Sequence, residues 1–315
     1  FAFATFFLAL QCLVGEPVTL LQTGFVLGAY AIAVAIEERR AAHIVRNLLL
    51  VAAIGFAALL VSAVQMLAAI DHARDSVRSG GFTFDGVADW STPPLRFIEL
   101  VFPDFFGSPV TDSRDPKWGI GLYEGRASPF FLGIYVGILA LVSAMAGVLA
   151  RIRGRGLYVV IAGASAVLAL GSHTPLLRVL YDAGIAQSIR YPEKFLIMGL
   201  FATAVFAALA LDRLLLHDRA MRRMTLAVTA IVLLAALVGW VSTIVPDAEK
   251  HFRDLWSLDT EDDVDSMLLA ARSSWIVASS RALILLLLIA GLRYLPARAV
   301  ATLLIVFSTM DLGFE

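Results

Sequence analysis

The sequence predicts an all-α fold: a polytopic membrane helical bundle of about nine spans, with an outer-face interfacial helix and two long outer loops. Three observations carry this. Of the 315 residues, 59% are hydrophobic and 16% charged, against about 45–50% and 25% in soluble domains. Mean hydropathy is +0.82. Arginine gathers in every second connection between apolar runs. The formal net charge of −1 gives no basic surface for nucleic acid. One cysteine, Cys12, excludes an intrachain disulfide framework or a thiolate metal cluster.

The spans follow in order: roughly 1–13, 18–36, 48–70, 129–150, 157–171, 195–211, 225–245, 274–292 and 297–310. The first is shorter than the about 20 residues needed to cross a bilayer. It lacks the basic start and cleavage site of a signal peptide. It reads as the surviving half of a span, and the chain as an interior piece of a longer membrane protein. The connections 37–47, 151–156, 212–224 and 293–298 hold 12 Lys/Arg in 36 residues; the alternate ones hold 12 in 118, with 22 of the 26 acids. Cytoplasmic loops are enriched in Lys and Arg, so the long connections face outward. The chain is read as a single membrane-embedded domain, 1–315.

Three outer segments stand out. Residues 71–128 form an outer loop carrying Trp90, Pro93-Pro94, Phe102 to Gly107 and Trp118, a mix suited to the headgroup layer. In 172–190, Thr174-Pro175 reads as a helix start. Leu176, Leu177, Val179, Leu180 and Tyr181 then give one apolar face to an interfacial helix. Residues 246–273 form an outer acidic loop, densest at 259–265.

Several motifs carry candidate chemistry. In Arg190-Tyr191-Pro192-Glu193-Lys194-Phe195, two cations four apart open a span near the headgroups. Arginine grips phosphate bidentately, which suits a lipid phosphate. Anchoring of a span in the headgroup layer needs the same residues. Glu16, in the Gly15-Glu16-Pro17 turn, is either an acid–base or sugar-binding carboxylate or a solvated turn residue. Asp104 and Phe105, in an aromatic frame, suit a sugar ring or a membrane anchor. His173 is a candidate proton shuttle or a surface cap residue. Asp71 and Asp75 are one turn apart, as a divalent-ion pair or as acids at an exposed helix end. Arg281 lies inside the eighth span, where a charge is either functional or snorkels outward. The chain contains no phosphate-binding glycine loop, HExxH, GxSxG or haem pattern.

Taken in order, these segments resemble the YfhO-like family of bacterial membrane proteins, within the GT-C type glycosyltransferases. Leu10-Gln11 with Gly15-Glu16-Pro17 resembles the family's LQ…GHPQ turn. Trp90-Ser91-Thr92-Pro93-Pro94 and Phe102-Pro103-Asp104-Phe105-Phe106-Gly107 resemble its WSLPP…FPNFFG loop. Gly171 to Tyr181 resembles its TPL…LLY segment, and Arg190 to Phe195 its RYPxKF. The match covers most of residues 8–212, with Glu16 and Asp104 standing where the family has histidine and asparagine.

The resemblance implies transfer of a sugar from a polyprenyl-phosphate carrier to an extracytoplasmic acceptor, a cell-envelope glycan or protein, at the bacterial cytoplasmic membrane. It places the catalytic carboxylate in a first outer loop that would precede Phe1, so no catalytic residue is assigned. Arg190 and Lys194 are the candidate lipid-phosphate ligands. Glu16, Trp90, Asp104, Phe105, His173 and Tyr191 are the candidate sugar and acceptor pocket. No metal ligand and no covalently bound cofactor is assigned; divalent-metal dependence stays open. Two other readings stand beside this one: a non-catalytic membrane subunit of a larger complex, and a lipid or polysaccharide transporter. The nearly charge-free spans weigh against the transporter.

Overall fold

A computed structural model describes residues 1–38, 41–75, 80–107, 122–123, 129–245, 247–250, 261–291 and 294–313. Among these the fold is all-helical, with no strand. Five helices are long and apolar enough to cross a membrane: Pro17–Glu37, His43–Val61, Pro192–Leu215, Arg219–Ser242 and Met267–Gly291. Shorter apolar helices are Ala2–Val14, Ile138–Leu149 and Arg155–Ala169. The outward faces of the long helices are apolar: Leu49 and Phe56 are each 64% exposed and Ile231 66%. Continuous apolar surface of this kind calls for lipid. The chain is a membrane protein.

The described residues form two compact units. The first comprises residues 1–92 and 156–199. It contains α1 (Ala2–Val14), α2 (Pro17–Glu37), α3 (Ala41–Val61), α4 (Ala63–Arg74), α5 (Phe84–Ala88), α7 (Arg155–Ala169) and α8 (Pro175–Asp182). A left-handed Gly15 closes α1, and Pro17 opens α2 at a position where a missing N–H costs nothing. Gln11 binds the turn together, donating to Thr23 Oγ1 at 2.9 Å and to the Thr19 carbonyl at 3.3 Å. The predicted span 48–70 is two helices broken at Ser62, whose hydroxyl donates back to the Ala58 carbonyl at 2.8 Å. Such back-bonding competes with the helix ladder.

Within 172–190 only Pro175–Asp182 is α-helical. Leu177, Leu180 and Tyr181 pack on Val87, Phe82 and Phe84, while Leu176 and Val179 stay exposed. The apolar residues share one face of the helix, and α5 covers one side of it.

The second unit comprises residues 93–155 and 200–315. It contains a 3-10 turn (Pro94–Leu100), α6 (Ile138–Leu149), α10 (Arg219–Ser242), α11 (Glu261–Gly291) and α12 (Ala297–Gly313). Helix α9 (Leu196–Leu215) begins at the end of the first unit's sequence and contributes Ala210 and Leu214 to the second unit's core. Asp218 caps α10, accepting from the Ala220 and Met221 N–H groups. Helices α10 and α11 make the most extensive helix pair. Gly239 permits it, because a side chain there would collide with the Trp275 indole. The core joins Val142 and Ala146 of α6 to Met221 and Val228 of α10, Leu285 and Ile289 of α11, and Leu304 of α12.

Two predicted boundaries move. The span read from 129 becomes helical only at Ile138, after an irregular stretch interrupted by Gly133 and by Gly137, whose φ is +88°. The helix that carries the span read from 274 begins at Glu261, so the second half of the acidic loop is helix. Val264, Met267, Leu268 and Ala271 pack on Phe105 and Phe106 with helical spacing, which sustains those extra turns. The remainder of the acidic run, and Trp118, lie outside the described residues.

Candidate functional site

Four separated sequence motifs converge in the first unit. The 171–174 turn, the Trp90-Ser91-Thr92 segment and the Arg190-to-Lys194 segment are pinned to one another by backbone contacts. Ser172 N–H donates to Ser91 Oγ at 2.9 Å, and Thr92 N–H donates to the Ala169 carbonyl at 2.8 Å. Glu193 N–H donates to the Trp90 carbonyl at 3.1 Å. Gly171 sits at the junction with φ +51°, and a Cβ there would strike Ser91 Oγ and Pro192 Cγ. Only glycine combines that backbone with that closeness.

Tyr191 is the hub of the cluster. Its backbone is left-handed (φ +65°), and so is that of Trp90 (φ +54°). For bulky residues this conformation costs about 1–3 kcal/mol and persists where surroundings over-determine it. The two rings meet edge to face, centroids 4.7 Å apart at 86°. The Arg190 guanidinium carbon lies 4.5 Å from the Tyr191 ring centroid and 4.7 Å from that of Phe82. Lys194 Nζ lies 5.3 Å from the Tyr191 centroid. One aromatic ring thus holds both cations of the motif.

Each cation also meets a carboxylate. Arg190 donates through Nε to the Gly86 carbonyl at 3.2 Å and pairs through Nη2 with Asp89 at 3.5 Å. Nη1 has no hydrogen-bond partner among the described residues, and the side chain is 31% exposed. Lys194 Nζ donates to Glu16 Oε1 at 2.9 Å, while its carbonyl accepts from Gln22 Nε2 at 2.9 Å. The fourth motif, the Gly15-Glu16-Pro17 turn, is thereby tied to the others. His173 is exposed on its 3-10 turn, joined to this cluster through the backbone alone among the contacts described.

Asp104 and Phe105 belong to the second unit. Asp104 occupies a left-handed turn position (φ +53°), its carbonyl accepting from Gly107 N–H at 2.9 Å. Phe105 is a core residue, 3% exposed, its ring 5.3 Å from Trp275. Beneath this turn lies a buried ion pair that spacing did not single out: Arg96 Nε sits 2.6 Å from Glu99 Oε2. Arg96 also donates to Tyr123 Oη at 3.3 Å and to the Phe131 carbonyl at 2.7 Å. Glu99 Oε1 accepts from Phe106 N–H at 3.3 Å. Burial pushes the Glu99 carboxyl up to about 7, with Asp104 adding to the rise against the opposing pull of Arg96 and the Phe106 N–H. A charge three residues from another in an aromatic loop was the available signal.

Arg281 does not snorkel. It pairs with Asp311 through Nε at 3.2 Å, and Asp311 is fully buried. Among the described residues no three His, Cys, Asp or Glu side chains gather as a metal site. In comparisons with known proteins, no family model, no curated protein and no solved structure matches this chain.

Proposed function

We propose that this chain is part of a GT-C type glycosyltransferase of the YfhO-like kind. It moves a sugar from a polyprenyl-phosphate carrier to a cell-envelope acceptor on the outer face of the bacterial cytoplasmic membrane. The polypeptide crosses that membrane nine times, with 71–128 and the acidic segment 246–273 outside. The 31 residues of α11 extend about 46 Å, so its acidic first turns project beyond a hydrocarbon core of about 30 Å.

The observation that carries this reading is the setting of Arg190. Two rings and two acceptors orient its guanidinium, and the side chain stays 31% exposed. A fixed cation of this kind stabilises the charge that develops as phosphate leaves a sugar, with little reorganisation at the moment of reaction. Lys194 adds a second positive charge beside the same ring. Trp90 and Tyr191 offer aromatic surface beside it for a sugar, and deprotonation of the acceptor hydroxyl calls for a general base.

The test is transfer of radiolabelled hexose from a polyprenyl-phosphate donor by the full-length protein in proteoliposomes. Arg190→Ala removes a charge-assisted contact worth about 1.5–3 kcal/mol, a loss of roughly tenfold or more if it acts in the transition state. Arg190→Lys recovers only part, since an ammonium lacks the planar fork. Wild-type transfer by Arg190→Ala overturns the site assignment, and absence of transfer by the native protein overturns the enzyme reading.

One observation favours the non-catalytic subunit instead: both cations already have carboxylate partners, Asp89 and Glu16. On that reading Arg190→Ala leaves no transfer to lose and lowers only the stability of the assembly, measured by native electrophoresis.

A further inference from the structure

Asp311, on the last helix, is bonded to groups far from it in sequence. Its Oδ1 accepts from Tyr135 Oη at 2.7 Å and pairs with Arg281 Nε at 3.2 Å; its Oδ2 accepts from Ile138 N–H at 2.8 Å. The Arg281 guanidinium also lies 5.5 Å from the Tyr135 ring centroid. Ile138 is the first residue of α6, so the carboxylate of α12 caps α6 in place of a side chain from its own N-cap, Gly137. A carboxylate suits a helix N-terminus, where unsatisfied N–H groups point outward. A carboxylate with three donors, fully buried among these helices, is a fixed charge.

The contacts do not stop at α6. The irregular stretch that Asp311 anchors through Tyr135 and Ile138 carries the Phe131 and Leu132 carbonyls, which accept from Arg96 Nη2 at 2.7 and 3.4 Å. Arg96 pairs with Glu99, and Glu99 accepts the Phe106 N–H. An unbroken series of ion pairs, hydrogen bonds and short backbone links thus runs from the buried Arg281–Asp311 pair to the turn that presents Asp104.

We infer that Asp311 is a positioning residue for the 96–107 segment, acting through Tyr135, the 131–138 backbone and the Arg96–Glu99 pair. Coupling between sites needs such a contiguous physical network and a measurement of its transmission. This inference does not depend on what reaction the protein performs.

The test is amide hydrogen exchange of the purified full-length protein in nanodiscs, resolved at two places: the first turn of α6 and Phe106. In Asp311→Ala both exchange at least about tenfold faster than in the native protein, reporting local opening. Helix α1, in the other unit, keeps its native rate and so excludes global unfolding. Met310→Ala, a neighbouring substitution at a residue 54% exposed, changes neither place. Should Asp311→Ala fail to fold, Asp311→Asn keeps an acceptor oxygen for Ile138 but loses the charge that holds Arg281; it accelerates both places by a smaller factor. If the first turn of α6 opens while Phe106 keeps its native rate, Asp311 is a local cap and the inference is overturned. The same holds if Met310→Ala reproduces the effect, or if Asp311→Asn changes nothing.

Discussion

Lys194 and Glu16, 178 positions apart, meet in an ion pair 2.9 Å long. The contact fixes the tight turn between α1 and α2 to the start of the apolar segment 192–215. Its strength is modest, because the Glu16 side chain is 37% exposed and the Lys194 side chain 19%. A double-mutant cycle on Glu16→Gln and Lys194→Met, read by chemical unfolding in detergent, gives a coupling of up to about 1 kcal/mol. Raising the salt concentration lowers it. Purely additive single substitutions would show that the pair is a geometric coincidence.

Gly171→Ala tests the junction of the motifs. Both the left-handed backbone and the nearby Ser91 and Pro192 side chains oppose a Cβ. The substitution destabilises by roughly 2 kcal/mol or more, in the range of strained and overpacked sites. Ser91→Gly in the same chain removes one of the two obstacles and restores part of the loss, readable as a shift of the thermal midpoint. Unchanged stability in Gly171→Ala would mean the junction is looser than its contacts indicate.

Glu99 gives the second unit a pH signature. Its folded-state value of about 7 lies above the ordinary 4.5, so the folded state binds the proton more tightly than the unfolded chain. The stabilisation is therefore complete below about pH 4.5 and falls as pH rises toward 7, by up to about 3 kcal/mol. Glu99→Gln, which cannot ionise, flattens the profile across this window. A native profile that is already flat between pH 4.5 and 7, or one that rises, contradicts the assignment.

Orientation is open to direct labelling. In a Cys12→Ser background, a membrane-impermeant thiol reagent applied to intact cells modifies Ser188→Cys, an exposed position between α8 and Arg190. It leaves Arg153→Cys, on the Arg-rich connection, unmodified until the membrane is permeabilised. The reverse pattern inverts the topology.

The helices of this protein were legible from hydropathy because lipid, more than internal packing, is what most of their side chains face. The exceptions have physical causes. Residues 129–137 are as apolar as a span, but glycines and a cap borrowed from Asp311 delay the helix to Ile138. Residues 261–273 look like an acidic loop, yet Val264, Met267, Leu268 and Ala271 already follow a helical period. In the site, Arg190, Lys194, Trp90 and Glu16 could be singled out from motifs. Their partners could not. Asp89 lies 101 residues from Arg190, and Tyr135 lies 176 from Asp311, separations over which spacing carries no geometric information.

The first unit is assembled from two stretches of chain, 1–92 and 156–199, with the intervening residues committed to the other unit. Ribosomes add about 5–20 residues per second. Glu16 therefore emerges about 10–35 s before Lys194 exists, and Asp89 waits several seconds for Arg190. During that interval neither ion pair can form, and the junction that Glu193 N–H makes with the Trp90 carbonyl is still open. A chain that stops anywhere between residues 92 and 190 lacks the partners that close this unit.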